Sequence, residues 1–307
     1  MIISSTPMRI SLFGGSTDHP EFIKRYQKSQ IISFTSNLYT HVCLSKDKYG
    51  FNTHQKSYLV NYSKREVKQN ISKISNDLVS SVFSYYKMPP CSVYLTSDIY
   101  SSGNGLASSS AYLLSLIKAC EEFTNGTKSK YEIAKLALQI ERTFNPYCGF
   151  QDPFGCIYQG LKSISSKDDN IYRIKNFKNK IFDLYDFFLF PTGFSRNSKK
   201  ILNELAKSAD KLLPLYNLAM EAKSLLIKED FNDFIKLISQ SWFFKKKTSN
   251  LIQKNKKIAD IDEYLGSQKN IIAHKLLGAG NGGFFLIVQN KNSKQSKVII
   301  DKSIPLL

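Results

Sequence analysis

The sequence lacks long hydrophobic runs, and this absence limits where the protein can work. No stretch approaches the roughly 18 consecutive apolar residues that a membrane-spanning helix needs. The first 20 residues include Pro7, Arg9 and Asp18, whereas a signal peptide has a continuous apolar centre. With 42% hydrophobic residues among 307, the chain can still form an ample core. We expect a globular cytoplasmic protein of one large or two ordinary domains, without a membrane partner.

Cysteines are also few, and their arrangement excludes a disulfide framework. The chain has five, an odd number, without the spacing of metal ligands. They are Cys43, Cys91, Cys120, Cys148 and Cys156. We therefore expect reduced thiols, mostly in the core.

Acidic residues are scarce relative to basic ones, which favours anionic partners. The 25 acidic residues against 43 Lys and Arg give a formal charge of +18. Nucleotides, sugar phosphates and nucleic acids all fit such a charge. We find no helix-turn-helix, zinc finger or RNP-type aromatic motif, so nucleic acid is not the expected partner. The densest lysine run is interpreted as a solvated helix face: Lys245, Lys246, Lys247, Lys254, Lys256 and Lys257.

Residues 101–111 read SSGNGLASSSA and have the composition of a phosphate-binding loop. Gly103 and Gly105 allow the main chain to approach a ligand, so that consecutive N–H groups converge on an anion. A strand-like run precedes the loop, and a helical pattern from Tyr112 follows it, which adds the positive end of a helix dipole. The loop lacks the Lys of a Walker A motif and the third Gly of a dinucleotide fingerprint. A simple turn with a serine cap remains the alternative.

The N-terminus places Arg9 on a predicted strand, followed by the turn Gly14-Gly15 and then by Asp18. Asp18 has two interpretations. With Glu21 three residues later, it could cap a helix that runs to Tyr26. It could also contact a ligand, and the two roles can coexist.

Two carboxylates, Glu141 and Asp152, are separated by eleven residues. Glu141 lies near the end of a predicted helix that begins with the capping box Ser129 to Glu132. Such a pair could serve phosphoryl transfer, with one carboxylate on Mg²⁺ and the other orienting or deprotonating the attacking hydroxyl. Two solvated surface carboxylates are the alternative.

The second half of the chain is expected to begin after a polar stretch at residues 163–170. Its last motif is residues 278–283, GAGNGG, which formally matches G-x-G-x-x-G. A β-type run follows it rather than a helix, so the dinucleotide interpretation fails. The glycines permit the close approach of a ligand or another backbone, and a hairpin turn is the alternative.

The order of these segments resembles the GHMP superfamily of small-molecule kinases. In that superfamily a basic strand, a glycine and serine loop, a Glu and an Asp eleven apart, and a late glycine loop follow one another. The resemblance spans nearly the whole chain. Within the superfamily the chain looks most like bacterial kinases of D-glycero-D-manno-heptose 7-phosphate. The residues that carry this likeness are Arg9, residues 14–18 (GGSTD), Gln151-Asp152, residues 192–196 (TGFSR) and residues 242–245 (WFFK).

The resemblance implies an α+β fold of two lobes, with the active site in the cleft between them. The expected domains are residues 1–165, which contain the ATP-binding loop, and residues 166–307. The implied cofactors are ATP and Mg²⁺, and the implied partner is a small-molecule sugar or sugar phosphate. Transfer of the γ-phosphoryl group to the anomeric hydroxyl of heptose 7-phosphate, for nucleotide-activated heptose and surface polysaccharide, is the best match.

The resemblance also implies roles for individual residues. Asp152 would accept or polarise the proton of the sugar hydroxyl, and Arg9 would neutralise charge on the transferred phosphoryl group. The phosphates of ATP would be wrapped by Gly103, Asn104, Gly105, Leu106, Ala107, Ser108, Ser109 and Ser110. Ser109 and Glu141 would reach Mg²⁺. The substrate would be bound by Gly15, Asp18, Asp152, Arg196, Gly278 and Gly280, with Arg196 on a phosphate already present.

The chain departs from the superfamily pattern at Pro153. A proline at this position removes a backbone donor and predicts an extended conformation at Asp152. Two alternatives to a heptose kinase follow. One is a kinase for another sugar, such as fucose, galactose or an N-acetylhexosamine. The other is a catalytically weak relative that binds nucleotide or sugar phosphate as a regulatory module. A homodimer is compatible with the sequence.

Overall fold

The computed structural model describes residues 1–46, 56–100, 103–194, 203–204, 209–252, 254–291, 293 and 303–306. Within these ranges the backbone forms two β-sheets with helices packed against them, which confirms the expected α+β class. None of the described helices has the length and apolar character that crossing a membrane requires. The five cysteines are free thiols, and Cys43 alone among them is not buried.

The larger sheet is arranged around two long antiparallel strands. Its described strands are β1 (Ile2–Phe13), β2 (Gln30–Ser45), β3 (Tyr58–Asn61), β4 (Arg65–Lys68), β5 (Ser92–Ser97), β6 (Lys162–Ser165) and β7 (Arg173–Asn176). Their order is β4-β3-β5-β2-β6-β7, with β1 on β2. β5 pairs with the C-terminal part of β2 and β6 with its N-terminal part, so β2 joins the two sides of the sheet.

The helices follow the expected apolar spacing. They are α1 (Pro20–Tyr26), α2 (Asp77–Tyr86), α3 (Ser108–Phe123), α4 (Lys130–Phe144), α5 (Gln151–Ile157), α6 (Ile181–Leu184), α7 (Leu213–Lys228), α8 (Phe231–Lys246) and α9 (Lys256–Ser267). The capping box of Ser129 and Glu132 at the start of α4 is confirmed. α3 packs on β1 and β2, which fixes the loop before it against the larger sheet.

The smaller sheet has four described strands in the order β11-β8-β10-β9. They are β8 (Tyr185–Pro191), β9 (Ala273–Leu276), β10 (Phe284–Asn290) and β11 (Ile304–Leu306). β10 confirms the β-type run expected after the late glycine motif. α8 packs on β9, and α7 packs on β1 and β2 of the other sheet. Lys275 on β9 donates to the carbonyl oxygen of Leu12 on β1 at 2.5 Å, so the sheets meet directly.

The expected boundary after residue 165 lies within the larger sheet. A boundary after residue 165 falls between β6 and β7, which pair as an antiparallel hairpin in the larger sheet. The larger sheet therefore extends to Asn176. The main hydrophobic core also includes side chains from both sheets, such as Phe13 and Leu286. Polar composition marked the turn of this hairpin rather than the end of the sheet.

Gly14 ends β1 in a conformation that provides a test of the fold. Its φ is +73°, and a Cβ added there would lie 1.8 Å from the carbonyl oxygen of Gln30. We expect Gly14→Ala to lower the free energy of unfolding by about 2–4 kcal/mol, because left-handed strain and overpacking add. Gly193→Ala is the control, since its φ is +78° and nothing lies within 4 Å of an added Cβ. It should cost about 1 kcal/mol in urea denaturation. Equal losses in the two variants would contradict this account.

Candidate active site

The Arg9 guanidinium connects two segments that are far apart in sequence. Its Nη2 and Nε lie 2.6 and 3.0 Å from Asp152 Oδ1, and its Nη1 donates to the carbonyl oxygen of Gly105 at 2.7 Å. The side chain of Arg9 is 3% exposed and that of Asp152 is 29% exposed. The carboxylate of Asp152 is therefore accessible to solvent, whereas the guanidinium of Arg9 is buried.

Asp152 lies in the first turn of α5, and the extended conformation expected from Pro153 is wrong. α5 begins at Gln151, so Pro153 also lies in the first turn. Backbone N–H groups in a first turn have no partner within the helix, so proline removes no helical hydrogen bond there. Pro153 therefore does not prevent Asp152 from meeting Arg9.

The side chain of Gln151 braces Asp152 from the other side. Its Oε1 accepts from the Ser11 hydroxyl at 2.7 Å, and its Nε2 lies 3.3 Å from Asp152 Oδ1. Sequence reasoning missed Ser11. The alternation of a strand could have revealed it, because Arg9 and Ser11 are two residues apart on β1 and share a face.

Asp18 is buried, with 6% exposure, and does not cap α1. His19 occupies the N-cap, where its side chain accepts from the N–H of Glu21. The Asp18 carboxylate instead accepts from the N–H of Gln151 at 3.1 Å. Burial, with a contribution from the Asp152 charge, raises its pKa to about 6. The capping interpretation is therefore wrong, and the carboxylate faces the cleft.

The predicted phosphate loop leads into α3 as the sequence suggested. Gly103, Gly105 and Ala107 all have positive φ. Ala107 is the N-cap of α3 and has no side-chain oxygen, so no side chain caps the first turn. Asn104 braces the loop from within, because its Oδ1 accepts from the N–H of Leu106 at 2.9 Å. Helix N–H groups at such an end can bind an anion.

Glu141 on α4 meets this loop through Ser110. The Ser110 hydroxyl lies 2.8 Å from both carboxylate oxygens of Glu141, and the Cys148 thiol lies 3.5 Å from Oε2. Burial, followed by the charge of Asp152, raises the pKa of Glu141 to about 7. Ser109, the expected partner of Glu141, is exposed at the cleft. Ser110 was expected to contact only the nucleotide. The spacing of the serines in the sequence does not indicate which of their hydroxyls faces α4.

These side chains fit a magnesium ion that is held partly by phosphate. A buried carboxylate with raised pKa is stabilised by a cation, and carboxylate and hydroxyl oxygens are the ligands that Mg²⁺ prefers. Among the described residues no group of three or more His, Cys, Asp or Glu side chains could hold a metal alone. Mg²⁺ in kinases is bound through one or two carboxylates together with substrate phosphates, so Glu141 suffices for the protein's share.

The late glycine loop reaches the phosphate loop from the smaller sheet. A Cβ added to Gly283 would lie 2.4 Å from the carbonyl oxygen of Asn104, so the two backbones are in contact. Gly278 lines the cleft, whereas Gly280 packs against Ile252 and does not. Arg196 lies outside the described residues.

The described residues enclose a cleft of about 400 Å³. Most of the predicted site residues line it: Arg9, Gly15, Asp18, Gly103, Asn104, Gly105, Ala107, Ser108, Ser109, Ser110, Glu141, Asp152 and Gly278. Leu106 does not, because its side chain is in the core.

Three further side chains on the cleft wall were not predicted. His19 and Tyr147 stack with ring centroids 5.1 Å apart. Lys245 was assigned to a solvated face, but it is 7% exposed and donates to the carbonyl oxygen of Gly278. The sequence could not distinguish Lys245 from the other lysines of the run, because only tertiary packing makes it more buried than they are. Its position in residues 242–245 of the heptose kinase pattern was the available signal.

Comparison with known proteins shows which kinases this chain is similar to. Residues 67–160 match the family model of the GHMP kinases N terminal domain. The D-glycero-alpha-D-manno-heptose 7-phosphate kinase of Campylobacter jejuni is 27% identical over 97% of this chain and 92% of its own length. The bifunctional fucokinase/GDP-fucose pyrophosphorylase of Arabidopsis thaliana is 27% identical over 64% of this chain, but over only 19% of that larger protein.

A solved structure supports the fold over the whole chain. A D-glycero-D-manno-heptose 1-phosphate kinase from Bacteroides thetaiotaomicron superposes with a TM-score of 0.78, covering 100% of this chain and 95% of that one. Its sequence identity is 19%, so it supports the fold rather than the substrate.

The raised pKa of Asp18 makes stability depend on pH in a defined direction. Because the folded state binds the Asp18 proton more tightly than the unfolded state, its contribution to stability falls as pH rises from about 4 to 6. Relative to wild type, Asp18→Asn should gain about 2–3 kcal/mol in free energy of unfolding between pH 4 and 7. Denaturant titrations across this range measure it.

Asp168→Asn is a control with the opposite sign. Asp168 is an exposed turn residue, and N–H groups of Ile171 and Asn170 lower the pKa of its carboxyl. Removing that carboxylate should lower relative stability as pH rises through its titration range. If Asp18→Asn and wild type had parallel pH profiles, Asp18 would not be a buried carboxylate with a raised pKa.

Proposed function

We propose that the chain is a phosphotransferase of the GHMP kinase superfamily and that it transfers the γ-phosphoryl group of ATP to a sugar hydroxyl. The proposed acceptor is D-glycero-D-manno-heptose 7-phosphate, and the proposed site is its anomeric hydroxyl. The name of the Campylobacter jejuni relative supports this acceptor. The product would serve nucleotide-activated heptose and surface polysaccharide, and a cytoplasmic location is part of the proposal.

One observation carries the proposal, namely that Arg9 contacts both the proposed base and the phosphate loop. Its guanidinium bonds to Asp152 and to the carbonyl oxygen of Gly105 at the same time. Phosphoryl transfer depends mainly on positioning and on electrostatic stabilisation of the transferred group. A single buried cation between the acceptor side and the nucleotide side supplies both.

In the proposed reaction Asp152 accepts or polarises the proton of the sugar hydroxyl. Its carboxylate is oriented by Arg9 and Gln151, and its 29% exposure keeps it accessible to an acceptor. Arg9 stabilises the negative charge that spreads over the transferred phosphoryl group, and its planar fork keeps a permanent charge. Asp18 and Gly15 are proposed to bind the sugar.

The nucleotide side is formed by the loop and by α4. The N–H groups at the start of α3 would hold the ATP phosphates, with Gly103 and Gly105 allowing close approach. Glu141, Ser109 and Ser110 would hold Mg²⁺, which would neutralise charge on the phosphates of ATP. Arg196 remains a proposed contact for a phosphate on the substrate.

A second acceptor class is favoured by one relative. The Arabidopsis thaliana relative includes a fucokinase, so a neutral sugar is the main alternative acceptor. The case for a regulatory module is weaker, because it depended on Pro153 disturbing Asp152, and Asp152 contacts Arg9 from the first turn of α5.

ADP release with Mg·ATP across heptose 7-phosphate, free heptose, fucose, galactose and N-acetylhexosamines tests the proposal. Turnover should be greatest with heptose 7-phosphate. Asp152→Asn should lower kcat by ~10² or more, as expected for loss of a positioned acid–base group. Asp169→Asn is a matched control, because it breaks another Arg–Asp pair, to Arg142 at 2.8 Å, outside the cleft. It should leave kcat within about threefold, because neither Arg142 nor Asp169 lines the cleft.

Other outcomes would contradict parts of the proposal. Preference for fucose or galactose would replace the acceptor and keep the reaction. Full activity in Asp152→Asn would remove Asp152 as the base. Nucleotide binding without turnover of any sugar would favour the regulatory alternative.

A further inference from the structure

We propose that Ser11 is a positioning residue for the proposed base, and that it acts through the side-chain amide of Gln151. Together with Arg9, this amide holds the carboxylate of Asp152 so that Oδ2, rather than Oδ1, accepts the proton of the sugar hydroxyl. The inference rests on the proposed kinase function and deepens it, because it assigns the proton acceptor to one atom and adds a residue that controls it.

The two carboxylate oxygens of Asp152 have different surroundings. Oδ1 lies 2.6 Å from Nη2 of Arg9, 3.0 Å from its Nε and 3.3 Å from Nε2 of Gln151. Within the described ranges no group donates a hydrogen bond to Oδ2. A carboxylate oxygen has about two lone-pair sites, so three donors saturate Oδ1. Because the Asp152 side chain is 29% exposed and lines the cleft, Oδ2 is the oxygen that an acceptor hydroxyl can reach.

Arg9 alone does not fix the orientation of this carboxylate. An arginine that bonds both oxygens of a carboxylate determines the plane of the group. Here both bonds from Arg9 to Asp152 converge on Oδ1, so the carboxylate could pivot about that atom and carry Oδ2 away from the cleft. The amide of Gln151 is a second donor on a separate side chain, and its contact with Oδ1 restricts this rotation.

The Ser11 hydroxyl holds the amide of Gln151 in the orientation that this contact needs. An ionised carboxylate only accepts hydrogen bonds, so the Nε2 end of the amide must face Asp152 and the Oε1 end must face away. Oε1 accepts from the Ser11 hydroxyl at 2.7 Å. Gln151 is 7% exposed and Ser11 is 4% exposed, so little water can replace that bond. Without the hydroxyl, Oε1 would be a buried acceptor without a partner, and movement of the amide to satisfy it would take Nε2 away from Asp152.

Arg9 and Ser11 support the same carboxylate from one strand. They are two residues apart on β1, so their side chains share a face of the sheet. The strand rises by about 7 Å over two residues. Its pairing with β2 is regular here, since Arg9 lies opposite Thr35 and Ser11 lies opposite Ser33. A regular, buried strand therefore sets the spacing between the direct support of Asp152 and the indirect one.

This arrangement keeps Arg9 paired while the proposed proton transfer takes place. The hydroxyl proton passes to Asp152 Oδ2, and the hydroxyl oxygen uses its lone pair to form a bond to the γ-phosphorus. The bond from that phosphorus to the bridging oxygen breaks, and its electron pair leaves with ADP. Oδ1 keeps its donors throughout, so the buried guanidinium still has an acceptor when the carboxylate becomes neutral.

Ser11→Ala and Gln151→Met test the inference, alone and together. Each removes one link between Ser11 and Asp152, and methionine has nearly the volume of glutamine without its hydrogen-bonding groups. The measurements are kcat, KM for the sugar that wild type turns over best, and KM for ATP. Ser166→Ala is the matched control, because Ser166 is 2% exposed, donates to the carbonyl oxygen of Ile171 at 2.9 Å and does not line the cleft.

We expect Ser11→Ala to lower kcat by roughly 5- to 50-fold, because it leaves a buried acceptor unsatisfied beside the base. KM for the sugar and for ATP should stay within about twofold, since the residue acts on Asp152 rather than on either substrate. The double variant should lose no more than the weaker single variant, as for two links of one chain. In the Asp152→Asn background, Ser11→Ala should change kcat less than about twofold. Ser166→Ala should keep the kcat of wild type.

The inference and the proposed function fail in different ways. A raised KM for the sugar with unchanged kcat would make Ser11 a substrate contact and overturn the inference, while leaving the kinase intact. Losses that multiply in the double variant, or a further loss in the Asp152→Asn background, would also overturn it. If wild type phosphorylates no sugar, the proposed function fails, and the crystal structure of Ser11→Ala decides the inference. An unchanged Asp152 carboxylate would overturn it, and a rotated one would support it.

Discussion

The ion pair of Arg9 and Asp152 is the interaction on which the cleft depends. The guanidinium of Arg9 is buried, whereas the carboxylate of Asp152 is 29% exposed, so removing the carboxylate would leave a buried positive charge uncompensated. Here the pair also holds Gly105, so the phosphate loop and the start of α5 share one anchor. β1 supplies Arg9 from the centre of the molecule, where the strand is buried on both sides. A rigid strand thereby sets the distance between the proposed base and the nucleotide loop.

The other two carboxylates of the cleft, Asp18 and Glu141, are destabilised as anions by this arrangement. Burial and the Asp152 charge raise the pKa of both Asp18 and Glu141. Each carboxylate is therefore less stable as an anion than it would be in water, and each gains from a ligand that brings hydroxyl donors or a cation. A site of this kind reduces the stability of the unliganded protein in favour of binding. Both of these destabilised carboxylates line the cleft.

The sequence predicts local structure well where short-range rules operate. The capping box of α4, the helix after the phosphate loop and the β-type run after the late glycines all depend on neighbours within a few residues, and all are confirmed. The errors arise where distant residues decide. Asp18 does not cap α1, because its carboxylate accepts a hydrogen bond from the distant N–H of Gln151. Pro153 is tolerated because α5 begins only two residues before it.

The same distinction explains why only part of the candidate site could be predicted from the sequence. Arg9, Glu141 and Asp152 could be selected because their order and spacing resemble a known superfamily, although their roles remain proposals. Lys245 could not be separated from its neighbours by composition, since six lysines share the run and only the packing of α8 on β9 buries this one. The expected domain boundary fell between β6 and β7 for a similar reason. A polar turn within a sheet has the same composition as a polar segment between domains.

The elements that line the cleft also divide its chemistry. β1, α3, α4 and α5 carry Arg9, the phosphate loop, Glu141 and Asp152, and all belong to the half of the chain that contains the larger sheet. α8 and the loop after β9 contribute Lys245 and Gly278 from the other half. We expect substitutions in this second group to alter which acceptor fits without moving the groups that are proposed to transfer the phosphoryl group. Relatives with one fold and different acceptors are the expected result, because function resides in sites that vary on a common scaffold.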